Sequence, residues 1–382
     1  MTGVLAGVKI IEISGIGPGP FCGMLLADLG ADVIAIERPA ADMGKARPHQ
    51  IYHRGKSSIV LDLKAPGAVD IVLELLSGAD ALIEGMRPGV MERLGLGPDV
   101  CLERNPALVY GRMTGWGQTG PLAQAAGHDS NYTALSGALW YAGASGSAPQ
   151  APSTVLGDIA GGALYLALGI LSGVLRVRSG GKGQVVDAAI VDGSANLLNL
   201  LLSMVAATGG GFARDAHAFD SSHWAGQSYR CADGGWINIA PLEPQFYAEL
   251  VERLGLDKDE RFKRGQFDPA LWPELRDELT QLFASKPRAH WQSLLEGTDS
   301  CFAPVLAPDE AVQHSHIADR QIYHRIDDVL QTKAAPEFSC DTSANPQAVP
   351  PRGNDWKTIL SCAGFSPDQI EQFIASGAVS TS

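Results

Sequence analysis

Close pairs of cysteine are missing from this sequence. Its six cysteines (Cys22, Cys101, Cys231, Cys301, Cys340 and Cys362) are scattered, with no CxxC spacing. That argues against a metal site or a disulfide framework and fits a reducing, cytoplasmic setting. An excess of positive charge is missing too. The chain carries 29 Lys and Arg against 42 Asp and Glu, a net charge of −13, whereas nucleic-acid binders are ordinarily basic. There is no G-x-G-x-x-G fingerprint. The loop Gly15-Ile16-Gly17-Pro18-Gly19-Pro20 has the wrong spacing, and its two prolines lack N–H donors that would cradle a pyrophosphate. A nicotinamide dehydrogenase is disfavoured accordingly. The first residues lack a basic segment followed by an apolar run of signal-peptide length, and the final Ala-Val-Ser-Thr-Ser is not a peroxisomal tripeptide. One segment could be mistaken for a membrane span: Ile159 to Leu175, apolar or small except for Tyr165. It is short for a bilayer span, so it reads as a buried helix of a large domain, with no membrane partner. No internal repeat is present.

What is there is an ample apolar fraction, 45% of 382 residues, enough for a sizeable core and for two domains. The first third alternates strand and helix patterns. Strands are predicted at 8–14, 31–37, 58–63, 79–85 and 107–115, with helices at 21–30 and 66–77 between them. Such alternation implies an α/β fold with a parallel sheet covered on both faces. Helical patterns follow at 128–141 and 158–178, then a strand at 183 that runs into helix as far as about 208. A glycine-rich linker at 206–226 precedes Tyr229–Ala240, whose alternation and Asp-Gly-Gly turn read as a hairpin. Helices at 244–255, 270–284 and 288–296 complete a small α/β domain at 227–315. The Pro-rich tail ends in two short amphipathic helices.

Several residues carry potential chemistry. Arg38 follows the second strand, where an arginine suits a ribose phosphate. Arg54, Lys56, Arg87, Arg93 and Arg112 also fall near the ends of predicted strands, where ligands of parallel sheets bind. Five cations in that setting, in an acidic chain, point to an anionic ligand. His128 opens a helix in Gly127-His128-Asp129-Ser130-Asn131-Tyr132; the free N–H groups of a first turn can stabilise an oxyanion. The commoner use of such a histidine is a cap or core packing. Asp158 precedes the most apolar segment. It fits an N-cap, and equally a desolvated carboxylate with a raised pKa suited to proton transfer. Glu243 stands before Pro244 and reads as a first-turn acid facing a helix dipole. His217 and His223, in or beside the linker, carry no assigned role.

Longer motifs unite these residues. GIGPGP, LADLGADVIAIERP, LIEGMRPGVMERLGLGP, RMTGWGQTGPLAQAAGHDSNY, GDIAGG, GKGQVVDAAIVDG and YRCADGGWINIAPLEPQFY resemble the α-methylacyl-CoA racemases, within the superfamily of class III (formyl-CoA-transferase-like) CoA transferases. The likeness runs over most of residues 4–256 and more weakly to about 325. It implies a large Rossmann-like domain at 1–205, completed by about 325–382. It also implies an interlocked homodimer whose site lies between the large domain of one subunit and the small domain of the other. On that pattern His128 and Asp158 flank the α-carbon of an acyl-CoA. Glu243, from the partner chain, would bond His128, and the Asp129 N–H would hold the thioester oxygen. Ile16, Arg38, Leu61, Leu63, Gly85, Arg87, Arg93, Gly127 and Tyr132 match positions that contact coenzyme A. The coenzyme is then part of the substrate, and no metal or separate cofactor is implied. One departure stands out: racemases of this type have a small Gly-Gly-Ala-Pro turn where this chain has the bulkier, more polar stretch 219–229. That leaves the acyl group open.

Two other activities fit part of the pattern. In a class III CoA transferase, the aspartate at the Asp158 position would attack the thioester and form an anhydride. A non-catalytic acyl-CoA-binding protein would need neither His128 nor Glu243. The presence of both favours proton removal and return at the α-carbon.

Overall fold

The computed structural model describes residues 3–40, 46–143, 146–209, 211–214, 223–340 and 346–381. The chain forms two compact units, one of residues 1–136, 152–197 and 320–382, the other of 137–151 and 198–319. Residues 137–151 and 198–205, placed in the large domain by the sequence pattern, group instead with the second unit.

In the first unit, β1 (Lys9–Ile13), α1 (Pro18–Asp28), β2 (Asp32–Glu37), β3 (Ser57–Leu61), α2 (Ala68–Ser77) and β4 (Ala81–Glu84) alternate as predicted. Two short helices, α3 (Val90–Arg93) and α4 (Pro98–Arg104), precede β5 (Val109–Thr114). Then come α5 (Asp129–Ser136), a π-helical stretch (Val155–Ala163), α6 (Leu164–Arg178), β6 (Gln184–Ala189) and α7 (Ile190–Leu197). The parallel strands run in the order β3-β2-β1-β4-β5-β6, the doubly wound Rossmann arrangement. Ile10 pairs with Val33 on one side and Ala81 on the other. A two-residue strand, Val379–Ser380, adds antiparallel to the β3 edge. Successive side chains of a strand face opposite layers. Ile11, Ile34 and Ile59 pack against Ile71, Val72 and Leu75 of α2. Ile10, Val33, Ile83 and Val109 pack against Leu26 of α1 and Leu166, Ile170 and Val174 of α6.

This sheet also buries acids, and each one has a cation. Glu12 meets Lys56 at 2.6 Å, Glu37 meets Arg47 at 2.5 Å, and Glu84 meets Arg112 at 2.9 Å. Arg54 pairs with Asp28 of α1 at 2.6 Å and also donates to Thr332 O. Three of the five cations expected near an anionic ligand (Arg54, Lys56 and Arg112) are therefore buried structural partners. A buried carboxylate in a parallel sheet needs such a partner, which accounts for cations at strand ends without any ligand.

Gly17 adopts a positive φ of 79° as the N-cap of α1, with Pro18 in the first helical position. The two prolines thus lie in the first turn, where a missing N–H costs nothing, and the helix starts earlier than predicted. The segment 128–141 is not one helix, since Gly137 (φ 88°) ends it after Ser136. The apolar run 159–175, read as a buried helix of a large domain, is buried on one face only. The helical stretch Val155–Arg178 is long and apolar enough to cross a membrane, but here it packs one face on the sheet. Leu164, Leu168 and Leu175 on the opposite face are 46%, 62% and 68% exposed.

The π stretch packs very closely on α7. A Cβ built on Gly193 would lie 1.8 Å from Gly161 O, and one on Gly161 would lie 2.5 Å from Ser194 Oγ. The glycines of GDIAGG and VDG serve that approach. Gly193→Ala is expected to lower stability by about 1–3 kcal/mol through overpacking. A urea midpoint equal to wild type would show that the two helices can part.

The second unit holds α8 (Asn199–Thr208) and an antiparallel sheet of β7 (Gln227–Arg230), β8 (Trp236–Ile239) and β9 (Phe302–Val305) in that order. The predicted hairpin forms, with Gly234 at φ 84°. β9 was not foreseen because Pro304 interrupts its pattern; on an edge strand the missing N–H is tolerated. Helix α9 (Pro244–Arg253) and helices Trp272–Ala284 and Arg288–Leu295 pack on Trp224, Phe262 and Phe283. Trp224 is fully buried, and His223 beside it bonds Gln266 O at 2.9 Å. Within the described part of the unusual stretch, His223, Trp224, Ala225 and Tyr229 are buried, whereas Gly226 and Ser228 are exposed; residues 219–222 and His217 lie outside the described residues.

Candidate active site

The sheet's strand order reverses between β1 and β4, and a cleft of about 380 Å³ opens at the carboxyl ends of β1, β4 and β5. Such a switch point is where ligands of open α/β sheets bind. Its lining includes the turn Gly15–Pro20 after β1, Gly85–Pro88 after β4, and Met113–Trp116 at the end of β5. Gly127, His128 and Tyr132 enter from the start of α5, and Asp158 from the π stretch.

His128 is exposed and takes the N-cap position of α5 by its backbone: its C=O accepts from Asn131 N–H at 2.8 Å. Its own N–H donates to Asn131 Oδ1 at 3.0 Å, which leaves the imidazole free of the capping task. Asp129 follows as the first helical residue. Among the described residues its N–H has no hydrogen-bond partner, as expected for a first-turn donor. Its carboxylate is buried and accepts, at Oδ1, the N–H groups of Gly157 and Asp158, each at 2.8 Å.

Asp158 is half-buried, not the N-cap of a helix. It sits in the fourth position of the π stretch, which begins after Thr154. π turns are uncommon and occur often at functional sites. A Cβ on Gly17 would lie 3.8 Å from Asp158 Oδ2, so the carboxylate faces the turn after β1. Burial raises its pKa, the neighbouring charge of Asp129 raises it further, and His128 pulls it back down. A carboxyl with a raised pKa is better matched to taking and returning a proton near neutral pH. Tyr132 donates to Gly127 O and packs edge-on against Trp116 at 4.7 Å. Its phenol pKa is raised by burial first, then by the charge of Asp158, against a lowering pull from Arg87. Gly115 and Gly127 make room for that ring: a Cβ on either would come within 2.0 or 2.7 Å of it.

A smaller cleft of about 160 Å³ adjoins through Gly15 and Ile16, and Arg38, Glu37, Tyr52, His53 and Arg352 line it. Burial pushes the His53 imidazole down to about 3, so it is neutral there. Arg38, Arg87 and Arg93 are exposed. Ile16, Gly85, Arg87, Gly127, His128, Tyr132 and Asp158 thus share one cleft, and Arg38 lies in its neighbour. Arg93 lines neither and folds back on Gly89. Leu61 and Leu63 pack into the apolar core. Glu243 is exposed in the second unit as the N-cap residue of α9, without a side-chain capping bond. The sequence motifs assigned no role to Met113, near the end of the β5 pattern, or to Trp116, two residues past it; their place at the carboxyl end of that strand was the available signal.

The sequence matches the profile of CoA-transferase family III over residues 5–355, and the chain belongs to that family. Within it, the chain is 38% identical over 378 residues to the human alpha-methylacyl-CoA racemase, covering 96% of this chain and 95% of that protein. It is 30% identical over 335 residues to the acetyl-CoA:oxalate CoA-transferase of Acetobacter aceti, covering 84% and 85% of the two. Among solved structures, a CAIB/BAIF family protein from Brucella suis superposes with a TM-score of 0.80 at 26% identity, covering 95% of this chain and all of that one.

Proposed function

We propose that this protein is a racemase of 2-methylacyl-CoA thioesters, with His128 and Asp158 as its two bases. The observation that carries this reading is the meeting of these two side chains in one cleft, beside the first-turn N–H of Asp129, unpartnered among the described residues. One base takes the α-proton, the thioester oxygen gains charge as the enolate forms, and the Asp129 N–H stabilises it. The other base then delivers a proton to the opposite face, and the configuration inverts. Atoms balance without any electron transfer, so no separate cofactor is called for. Arg38 and Arg87 suit the phosphates of coenzyme A, with Arg38 toward the nucleotide end. The greater identity to the racemase than to the transferase supports proton transfer over acyl transfer.

A second copy of the chain fits this reading. The exposed face of α6 formed by Leu164, Leu168 and Leu175, with Val185 exposed on edge strand β6, is suited to cover by a like surface. In such a homodimer Glu243 of the other subunit would orient His128, as a triad carboxylate orients its histidine.

Incubation with either enantiomer of a 2-methylacyl-CoA in deuterated water tests the reading. Deuterium is expected at the α-carbon, with both enantiomers converging on one mixture. Transfer of coenzyme A to an added carboxylate without deuterium uptake would assign Asp158 as a nucleophile instead. Binding with neither outcome would leave only an acyl-CoA carrier.

A further inference from the structure

The reaction as drawn uses the backbone N–H of Asp129 and gives its side chain no task. Asp129 is only 9% exposed, and its Oδ1 accepts two N–H groups at 2.8 Å, those of Gly157 and Asp158. A Cβ on Gly157 would lie 2.5 Å from the same oxygen, so the residue before Asp158 must be glycine for the carboxylate to enter. Asp129 also directly follows His128. One side chain therefore ties the peptide that carries the first base to the peptide that carries the second. The second segment needs such a tie, because it begins at Thr154 in a left-handed conformation (φ 66°) with no side-chain cap of its own.

We propose that the Asp129 carboxylate is a positioning residue for Asp158, holding the first turn of the π stretch at a fixed place opposite His128. The proposal rests on the proton-transfer reading of the cleft, but the tie itself can be measured apart from it. A side effect follows from charge. Asp129 is an acid beside an acid, and it disfavours the ionised form of Asp158. The other groups acting on that carboxylate are His128, whose charge favours the ionised form, and Tyr132, which is itself under the pull of Arg87. The turn Gly15–Pro20 brings no titratable side chain. Asp192 on α7 is exposed, and Asp187 on β6 accepts from the Gln118 N–H.

Two variants separate the tie from the charge. Asp129→Asn keeps an oxygen acceptor and the shape while removing the charge; Asp129→Ala removes both. Carbon-13 titration of the Asp158 carboxyl, assigned by its loss in Asp158→Asn, reads protonation without turnover. In Asp129→Asn this titration is expected to move to lower pH. The acid limb of α-proton exchange should move the same way in the direction where Asp158 is the base. Asp129→Ala should lose amide-exchange protection at Gly157 and Asp158. Its kcat should fall about 100-fold, the usual cost of misplacing a reacting group by an ångström, with KM altered far less. An Asp129→Ala enzyme with protected amides and kcat within about twofold of wild type would overturn the proposal. Should the wild-type protein exchange no α-proton at all, the racemase reading fails, while amide protection at Gly157 and Asp158 still decides the tie.

Discussion

Asp158→Asn is expected to abolish inversion of the substrate while sparing solvent exchange at the α-carbon of one enantiomer. A two-base site that loses one base can still remove and return a proton on the side of the other. Interconversion should fall by about 10²–10⁴-fold, the usual contribution of a positioned acid or base. Deuterium should continue to enter the enantiomer whose α-proton faces His128, with retention of configuration. His128→Ala should give the mirror result, with exchange confined to the opposite enantiomer. Chiral separation of the released acid, with mass analysis of each fraction, reads both quantities. Inversion that persists in either variant would remove that residue from the reaction. A transferase using Asp158 as nucleophile would lose coenzyme A transfer in Asp158→Asn and show no enantiomer-specific exchange in either variant.

The second large effect concerns stability. Lys56→Met should cost about 3–5 kcal/mol, because it strands the Glu12 carboxylate in the sheet without its counter-charge. The pair is nearly inaccessible, with side chains 1% and 0% exposed, and Lys56 also donates to Pro20 O at 2.8 Å. Chemical unfolding of the single variant and of Glu12→Leu/Lys56→Met checks this. The double variant should recover most of the loss, since two apolar residues leave no orphaned charge. A single variant within about 1 kcal/mol of wild type, the range of exposed ion pairs, would mean that water reaches Glu12. The same substitution should loosen the Gly15–Pro20 turn, as Lys56 holds its last carbonyl.

These two cases mark how far the sequence was legible. The parallel strands were readable because each is an apolar run bounded by turns, and the cleft follows from their carboxyl ends. His128 and Asp158 were readable as residues at helix starts, and joined into one site only through motif resemblance. The cations misled. Arg54, Lys56 and Arg112 stand where ligand-binding residues would stand, yet each is paired to an acid whose burial no local pattern reveals. Glu12 reads as a polar interruption of a strand, and only the packed sheet shows that it has no access to water. The unit boundary was misplaced for a similar reason. Gly137, at φ 88°, divides what looks like a continuous helical pattern, and the chain passes from one unit to the other there. The strand Val379–Ser380 is too short to leave any periodic signal.

The π stretch has a consequence for how the site tolerates change in chain length. An ordinary helix advances about 100° per residue, so its side chains are aimed by counting from the last fixed point. Between Thr154 and Leu164 the count is stretched, with Ile159 N–H bonding Thr154 O, five residues back. The bearing of Asp158 is thus a matter of phase, set by the wider turn of that ladder. Deleting a single residue there would let the segment relax to the commoner pitch and swing the carboxylate to another side of the cylinder. The apolar composition would hardly change, and the face of α6 that meets the sheet would stay in register. A length change invisible to hydrophobic pattern would disarm the site.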